Sequence, residues 1–463
     1  MNLKFTRNYW WLNIIQMTER LAYWSVVLQM PIYIAQKEVA GGLGWTHIEK
    51  GIIYFWWAIF QNITPLLTGI IADKIGRKAV IKIAVLIALF GFLGMSISKT
   101  FYPFLLSTIL LGIGLGSMKP AIQGSLAVEL KKSNSARGWA IYVLLVNLSV
   151  FLAPPISIYL KNIGWQYLFW GSAAIIMFIW LFLLFIESEQ NKSTTDEYNF
   201  RILAKQFFEP KVFYFITLMT GFTTIYMQFY ETLPNFMYDW VDTSPVAKFF
   251  NLPSFMLMET PLNKGLISYE WLYNINTGLI ILFVLPVTSM FRKLATLQTI
   301  ALGIFITSLG LALCGLVLEG FVVIIGFIVY TFGEMIVNPK FTQYLGDIAD
   351  KNNASSYLSY VNISWAIGLA GSGYLGGWLY HNFSEKSMLA KKYLIEELNI
   401  AQKIDLNNAF SILQQTLNMD SLTLTKMLYD KYNPQIIWYV FLFVGLISVM
   451  GLIILSKHQK KSS

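Results

Sequence analysis

Long apolar stretches recur along almost the whole chain, and they constrain its fold more than any other feature of the sequence. A helix that crosses a bilayer needs about 20 consecutive, mostly apolar residues. The chain has twelve stretches of this kind, at 10–35, 50–72, 79–98, 102–129, 138–161, 164–187, 212–238, 268–291, 296–318, 320–346, 355–380 and 434–456. The sequence therefore predicts an all-α membrane protein with twelve transmembrane helices in two six-helix bundles.

Charged residues are too scarce for an ordinary soluble domain. Asp, Glu, Lys and Arg make up 13% of the 463 residues, whereas soluble domains contain about 25%. The net charge of +9 does not indicate nucleic-acid binding, because the basic residues lie in short segments between apolar stretches. The single cysteine, Cys314, excludes an internal disulfide.

A polar segment divides the twelve predicted helices into two sets of six. Residues 188–211 would form a cytoplasmic linker between an N-terminal bundle (1–187) and a C-terminal bundle (212–463), the layout of transporters built from two related halves. Within the second bundle, residues 381–433 would form a long external loop. The apolar spacing of that loop indicates short amphipathic helices.

The positions of the loop arginines predict the orientation in the membrane. They lie in the N-terminus, the even-numbered loops and the linker, and they are Arg7, Arg77, Arg137, Arg201 and Arg292. Cytoplasmic segments of membrane proteins are enriched in basic residues. We therefore expect a multi-pass protein of the cell membrane (plasma or inner) with both termini in the cytoplasm.

The first predicted span contains charged residues that need a partner. Gln16, Glu19, Arg20 and Tyr23 recur at the spacing i, i+3, i+4 and i+7, which places them on one helix face. An ionised group at the bilayer centre costs about 2.5–3.5 kcal/mol. This face is expected to line a polar cavity. The alternative is an ion pair that only stiffens the packing.

Charged and amide side chains also occur in other predicted spans. Lys119 precedes Pro120, Glu231 precedes Pro234, and Glu334 lies one turn before Asn338. Ionisable residues at membrane depth generally mark a substrate or proton pathway. Further amides are Asn62, Asn147 and Asn276. The alternatives are an ordinary interface position for Glu231 and interhelical hydrogen bonds for the amides.

The segment "GIIADKIGRK" follows the second predicted span and contains Gly69, Asp73, Gly76 and Arg77. Glycines allow tight turns, and Asp73 at a helix end could hold a neighbouring helix N-terminus. The spacing resembles the signature gating loop of the major facilitator superfamily. The alternative is a basic turn that only sets the topology.

Several further motifs resemble the landmarks of one family in that superfamily. "ERLAYW", "GIIADKIGRK", "GIGLGSMKP", "INTGLIILFVLP" and "GEMIVNP" follow in order the pattern of the proton-dependent oligopeptide transporters. The resemblance extends from about residue 10 to residue 380. It implies alternating access between two bundles and symport of di- and tripeptides with protons.

The resemblance also implies residue roles. The family's helix 1 motif, helix 4 lysine and helix 10 glutamate correspond to Glu19, Arg20, Lys119 and Glu334. Together with the amides and the aromatic residues after the motif, the predicted substrate-binding set is Arg20, Tyr23, Trp24, Asn62, Lys119, Asn147, Asn276, Glu334 and Asn338. The predicted proton-coupling set is Glu19, Lys119, Glu231 and Glu334.

The chain departs from the family pattern at three positions. Gln16 stands where the motif has its first acid, Val27 stands where the family has a carboxylate-binding arginine, and Glu231 is displaced by about one turn. The chain also lacks the two extra helices of many bacterial members. These departures favour an alternative, a carrier of an amino acid, organic anion or modified peptide with altered or no proton coupling.

Other function classes have little support in the sequence. An enzyme is not expected, because the three histidines show no paired spacing. ATP-driven transport is not expected either, because no phosphate-binding glycine motif occurs. A receptor on the same fold is a further alternative. We expect no cofactor or metal, a proton gradient as the energy source, and a small-molecule substrate. A monomer in the lipid bilayer is expected, with no nucleic-acid partner.

Overall fold

The apolar stretches form long helices in the computed structural model, which describes residues 5–35, 41–130, 134–186, 207–258, 265–291, 294–348, 354–400 and 404–462. Within these residues, twelve helices have 18 residues or more: α1 (Arg7–Val27), α2 (His47–Ile75), α3 (Arg77–Ile97), α4 (Phe101–Glu129), α5 (Ser135–Ile163), α6 (Trp165–Phe182), α7 (Pro210–Glu231), α8 (Tyr269–Met290), α9 (Thr296–Gly315), α10 (Gly320–Ile348), α11 (Ala354–Phe383) and α12 (Ile436–Ser462). Nine of them are apolar enough to cross a membrane by length and composition. The predicted all-α membrane fold is confirmed.

Each half of the chain builds its own apolar core. Buried side chains between Tyr9 and Leu183 form one core, and side chains between Val212 and Leu452 form a second. Only Leu28 and Val150 of the first half belong to the second core. Residues 188–206 of the predicted linker, 188–211, lie outside the described residues. The placement of the linker therefore stays a prediction.

The first predicted span, 10–35, is two helices rather than one. α1 ends at Val27, and a short helix covers Met30–Ala35. Pro31 is the second residue of this short helix. A proline is tolerated in the first turn of a helix, where the backbone N–H has no partner within the helix. The break therefore falls just before the proline.

The predicted span 212–238 is interrupted in the same way. α7 ends at Glu231, and a separate helix covers Leu233–Trp240 with Pro234 in its first turn. Thr232 joins the two helices. The break places the backbone carbonyl of Glu231 beside the first half, where it accepts a hydrogen bond described below.

The segment predicted as the gating loop is mostly helical. α2 continues to Ile75, so Gly69 and Asp73 lie inside this helix rather than in a loop. Gly76 alone joins α2 to α3, with φ at +93°. Glycine adopts this conformation without the steric cost that a Cβ atom would add. The prediction of a tight turn is therefore correct at Gly76 and wrong at Gly69.

The long segment 381–433 contains three short helices, Lys386–Glu396, Ala409–Leu417 and Ser421–Tyr432. They pack onto the second half, where the indole of Trp240 donates to the Ser384 carbonyl at 2.8 Å. We call this end of the molecule the loop end. The opposite end, where α1 begins and α12 ends, is the termini end.

Candidate functional site

The charged face of α1 contains a buried ion pair. Two guanidinium nitrogens of Arg20 donate to the two carboxylate oxygens of Glu19, each at 2.5 Å. The amide of Gln16 donates to Glu19 Oε2 at 2.7 Å. The Glu19 side chain is 1% exposed. A bidentate pair of this kind neutralises Glu19 within its own helix.

Hydrogen bonds connect this face to α4 and α5. The hydroxyl of Tyr142 donates to Gln16 Oε1 at 3.3 Å, and Gln123 of α4 donates to the same hydroxyl at 3.1 Å. The guanidinium carbon of Arg20 lies 4.7 Å from the centre of the Tyr23 ring. Gln16, Glu19, Arg20 and Tyr23 therefore form one contiguous polar group, as their spacing predicts.

Lys119 lies beside this group without bonding to it. Its side chain is exposed and close enough to Glu19 and Arg20 for electrostatic interaction. Lys119 makes no ion pair or hydrogen bond with any residue that the structure describes. The family resemblance implies a pair between Lys119 and the helix 1 motif, and this pair is not formed. Arg20 is the cation that pairs with Glu19 instead.

Glu334 of α10 is the charged centre of the second half. Its carboxylate accepts hydrogen bonds from the Tyr226 hydroxyl at 2.8 Å, from Asn276 at 2.9 Å and from Asn338 at 3.4 Å. The residue is 5% exposed. No lysine or arginine among the described residues lies within ion-pair distance of it. All three donors are neutral, so the carboxylate has no compensating charge.

Aromatic side chains of the two halves contact one another near these groups. Trp24 of α1 lies 5.4 Å from the ring of Tyr230 and 6.0 Å from that of Tyr273. The Tyr230 hydroxyl is 3.1 Å from that of Tyr226, which contacts Glu334. Trp24, predicted as a substrate contact, therefore lies at the boundary of the two halves, whereas Tyr23 contacts Arg20 and Trp57 of the first half.

The predicted amides separate into two kinds. Asn276 and Asn338 both bind Glu334, and Asn276 also donates to the Thr331 hydroxyl at 3.0 Å. Asn62 and Asn147 each donate at 2.9 Å to a carbonyl of their own helix, at Ala58 and at Val143. Those two amides are not joined to either charged group in this conformation.

The other residues of the predicted gating loop lie at the termini end. The guanidinium of Arg77 packs over Gly124 of α4, where a Cβ atom would come within 3.0 Å of Nε. A Cβ at Gly69 would meet only the Pro120 side chain, at 4.0 Å. The side chain of Asp73 lies outside the described part of the chain, and its predicted gating role stays a prediction.

Glu231 lies at the loop end beside a buried lysine that the sequence analysis missed. Lys50 of α2 is 2% exposed. Its ammonium donates to the backbone carbonyl of Glu231 at 2.8 Å and to the side-chain oxygen of Asn235 at 2.7 Å. The Glu231 carboxylate accepts from the Ser372 hydroxyl at 2.9 Å. In the sequence, Lys50 resembles an ordinary charge at a helix start, and only the tertiary contact distinguishes it.

A second contact joins the halves at the same end. Lys161 of α5 forms a 2.6 Å ion pair with the buried Glu270 of α8. In addition, α2 and α11 approach so closely that a Cβ at Gly51 would lie 2.5 Å from the Gly373 carbonyl. The loop end is therefore closed.

Replacing Lys50 with methionine is expected to favour opening of the loop end. The substitution removes the two hydrogen bonds that the Lys50 ammonium donates across the halves when the loop end is closed. Each hydrogen bond from a charged donor contributes about 1.5–3 kcal/mol. The measurement uses a cysteine placed at Gln29 in a Cys314→Ser background. This cysteine should react with maleimide at least about fivefold faster when Lys50→Met is present than when it is absent. Lys99→Met is the control, since Lys99 contacts Tyr33 of its own half. Equal rates in both variants would contradict the gating role.

Comparisons with known proteins agree with this architecture. The sequence profile of the Major Facilitator Superfamily matches residues 12–373. The quinolone resistance protein NorA of Staphylococcus aureus (strain MSSA476) is 23% identical over 211 residues, which cover 45% of this chain and 52% of NorA. The chain thus spans about half the length of NorA. The multidrug resistance protein MdtH of Blochmanniella pennsylvanica (strain BPEN) is 23% identical over 385 residues, covering 81% of this chain and 86% of MdtH.

Solved transporter structures share the fold. The nucleoside transporter NupG has a TM-score of 0.69 and 13% identity, covering 98% of this chain and 100% of NupG. A POT family transporter in complex with 5-aminolevulinic acid has a TM-score of 0.62 and 15% identity, and the match covers 93% of this chain and 96% of that transporter. With two helical halves, buried charges on both sides of their interface and a profile match over most of its length, the chain belongs to the Major Facilitator Superfamily.

Proposed function

We propose that the protein is a secondary active transporter that moves a small zwitterionic solute, with di- and tripeptides as the first candidates, by proton-coupled alternating access. One observation supports this most directly. Lys119 in the first half and Glu334 in the second half are opposite charges without an ion-pair partner among the described residues. A solute with one carboxylate and one ammonium group complements both.

We assign each end of such a solute to one half. Lys119 would bind the carboxylate, because Arg20 is already paired with Glu19. Glu334 would bind the ammonium group, and Asn276 and Tyr226 orient its carboxylate. Each charge-assisted hydrogen bond contributes about 1.5–3 kcal/mol. The POT family transporter solved with 5-aminolevulinic acid is similar in fold, which is consistent with this substrate class.

Proton coupling would follow because no lysine or arginine among the described residues pairs with the Glu334 carboxylate. A bare carboxylate in a closed site at membrane depth is costly, so occlusion requires either an ammonium group or a proton there. Glu231, whose carboxylate is buried at the loop end, is the second proposed proton site. Because the contacts between the halves lie at the loop end, we propose that this conformation opens at the termini end, which is the cytoplasmic side in the predicted orientation.

Dialanine is the first ligand to test. Detergent-purified protein should show a higher melting temperature with dialanine, because a ligand at 100 times its Kd stabilises the folded state by about 2.7 kcal/mol. Proteoliposomes should accumulate labelled dialanine faster under an inward proton gradient than without one. Lys119→Met should abolish both effects, whereas Lys211→Met, at the exposed start of α7, should not. Absence of stabilisation and of uptake in the wild type would exclude peptides.

A second candidate is a carrier of another small polar metabolite, such as an amino acid, organic anion or modified peptide. Val27 favours it, because this residue is 2% exposed inside the first core and offers no cation where the peptide family has an arginine. Stabilisation by an amino acid or organic anion, but not by dialanine, would support this candidate.

A further inference from the structure

A groove on the outer surface of the first half is separate from the site between the halves. It lies between α2, α3 and α4, has a volume of about 410 Å³, and is lined mainly by branched aliphatic side chains. Leu67 of α2 and Ile83 of α3 are 57% and 50% exposed. The volume is in the range of sites that bind small molecules, and the groove takes no part in the proposed transport cycle.

The groove presents almost only hydrocarbon, even where its residues are polar. Thr64, Thr68 and Ser117 line it. Each hydroxyl donates to a carbonyl one turn earlier in its own helix, at 2.5, 3.0 and 2.7 Å respectively. With their hydrogen-bonding groups satisfied internally, these side chains contribute methyl and methylene surface. The occupant must therefore be apolar along the length of the groove.

The groove extends along one leaflet of the bilayer. On α2 it runs from Phe60, near the middle of the helix, to Ile75 at the termini end. Fifteen residues of helix span about 22 Å at 1.5 Å per residue. Half of a bilayer, including its headgroup region, measures about 20–22 Å. A lipid of this leaflet would therefore have its chain in the groove and its headgroup beside the end of α2.

Positive charge is concentrated at that end of the groove. Lys74, Arg77 and Lys78 outnumber the single acid Asp73. Lys74 is exposed and makes no ion pair or hydrogen bond with the described residues, whereas Lys78 donates to the Ile186 carbonyl at 2.7 Å. Lys74 therefore has its ammonium available for a group outside the protein. An anionic headgroup would complement it.

We propose that this groove binds an anionic phospholipid of the leaflet on the termini side, with one acyl chain between α2 and α3 and the headgroup phosphate near Lys74. The bound lipid brings hydrocarbon to the apolar wall and negative charge to its basic end. A zwitterionic lipid has a phosphate too, but its ammonium group offsets that charge, and a free phosphate lacks the hydrocarbon.

The test uses purified full-length protein, stripped of lipid in detergent. Phosphatidylglycerol should raise the melting temperature of the protein and should remain bound to it in native mass spectrometry. Both effects should occur at a lower lipid concentration than with phosphatidylcholine that has the same acyl chains. Glycerol phosphate, which has no chains, should have no effect. Lys74→Gln should weaken binding of phosphatidylglycerol about fivefold and weaken that of phosphatidylcholine less, because choline offsets the charge of its phosphate. Lys457→Gln, an exposed lysine of α12, is the matched charge control.

A variant in which a side chain fills the groove distinguishes binding at this site from general binding of lipid around the protein. Leu67→Trp should abolish the preference for phosphatidylglycerol, whereas Leu285→Trp, at a side chain of α8 that is 75% exposed, should preserve it. Equal binding of both lipids by the wild type, or an unchanged preference in Leu67→Trp, would overturn the proposal. So would tight binding of glycerol phosphate, which would indicate an anion site without a lipid.

Discussion

Glu334→Gln is expected to lower substrate uptake at least tenfold while the protein remains folded. The substitution removes the charge that would bind the substrate ammonium group, and a charge-assisted hydrogen bond is worth about 1.5–3 kcal/mol, or roughly 10- to 100-fold in affinity. It also places an amide N–H₂ group opposite the donors of Asn276 and Tyr226. Uptake of labelled dialanine into proteoliposomes under an inward proton gradient measures the loss.

The control is Glu319→Gln, the same chemical change at an exposed position just before α10. That variant should transport at the wild-type rate, since Glu319 lies at the loop end, about four turns from Glu334. The melting temperature of both variants should be measured first, so that unfolding is not mistaken for loss of function. Proton-driven uptake within twofold of wild type in Glu334→Gln would refute the assignment of Glu334.

Arg20→Met is expected to destabilise the first half strongly. It leaves the carboxylate of Glu19, which is 1% exposed, without its bidentate partner. Removing one member of a buried ion pair costs about 3–5 kcal/mol, because the remaining charge is buried and uncompensated. Lys119 lies nearby but does not contact Glu19. The melting temperature in detergent should fall accordingly.

A double variant distinguishes this mechanism from simple loss of packing. Glu19→Gln combined with Arg20→Met removes both charges and should recover most of the lost stability, because replacing a whole buried pair is often close to neutral. If the double variant is as unstable as Arg20→Met alone, the cost comes from packing of the long side chain rather than from an uncompensated charge.

The conformation of the protein follows from contacts that have no signal in the sequence. Lys50 and Asn235 are 185 residues apart, yet their side chains form a 2.7 Å hydrogen bond. Lys161 and Glu270 are 109 residues apart and form an ion pair. In the sequence each of these residues resembles a common charge or amide near the end of a helix. Which of them join the halves depends on how the two bundles pack.

The sequence by itself determined the twelve helices, their order and the charged residues among them. A spanning helix satisfies its backbone hydrogen bonds internally, so local composition is enough to recognise nine of them. The face shared by Gln16, Glu19, Arg20 and Tyr23 followed from helical spacing for the same reason.

Only the tertiary structure decided which charges are paired. Arg20 is bonded to the residue beside it, Lys119 is exposed and unpaired among the described residues, and Glu334 has only neutral donors. The breaks after Val27 and Glu231, and the closed loop end, were likewise decided by packing. Pairing of charges depends on side-chain conformations and on distances of a few ångströms, and helical periodicity specifies the face of a side chain but not the residue it meets.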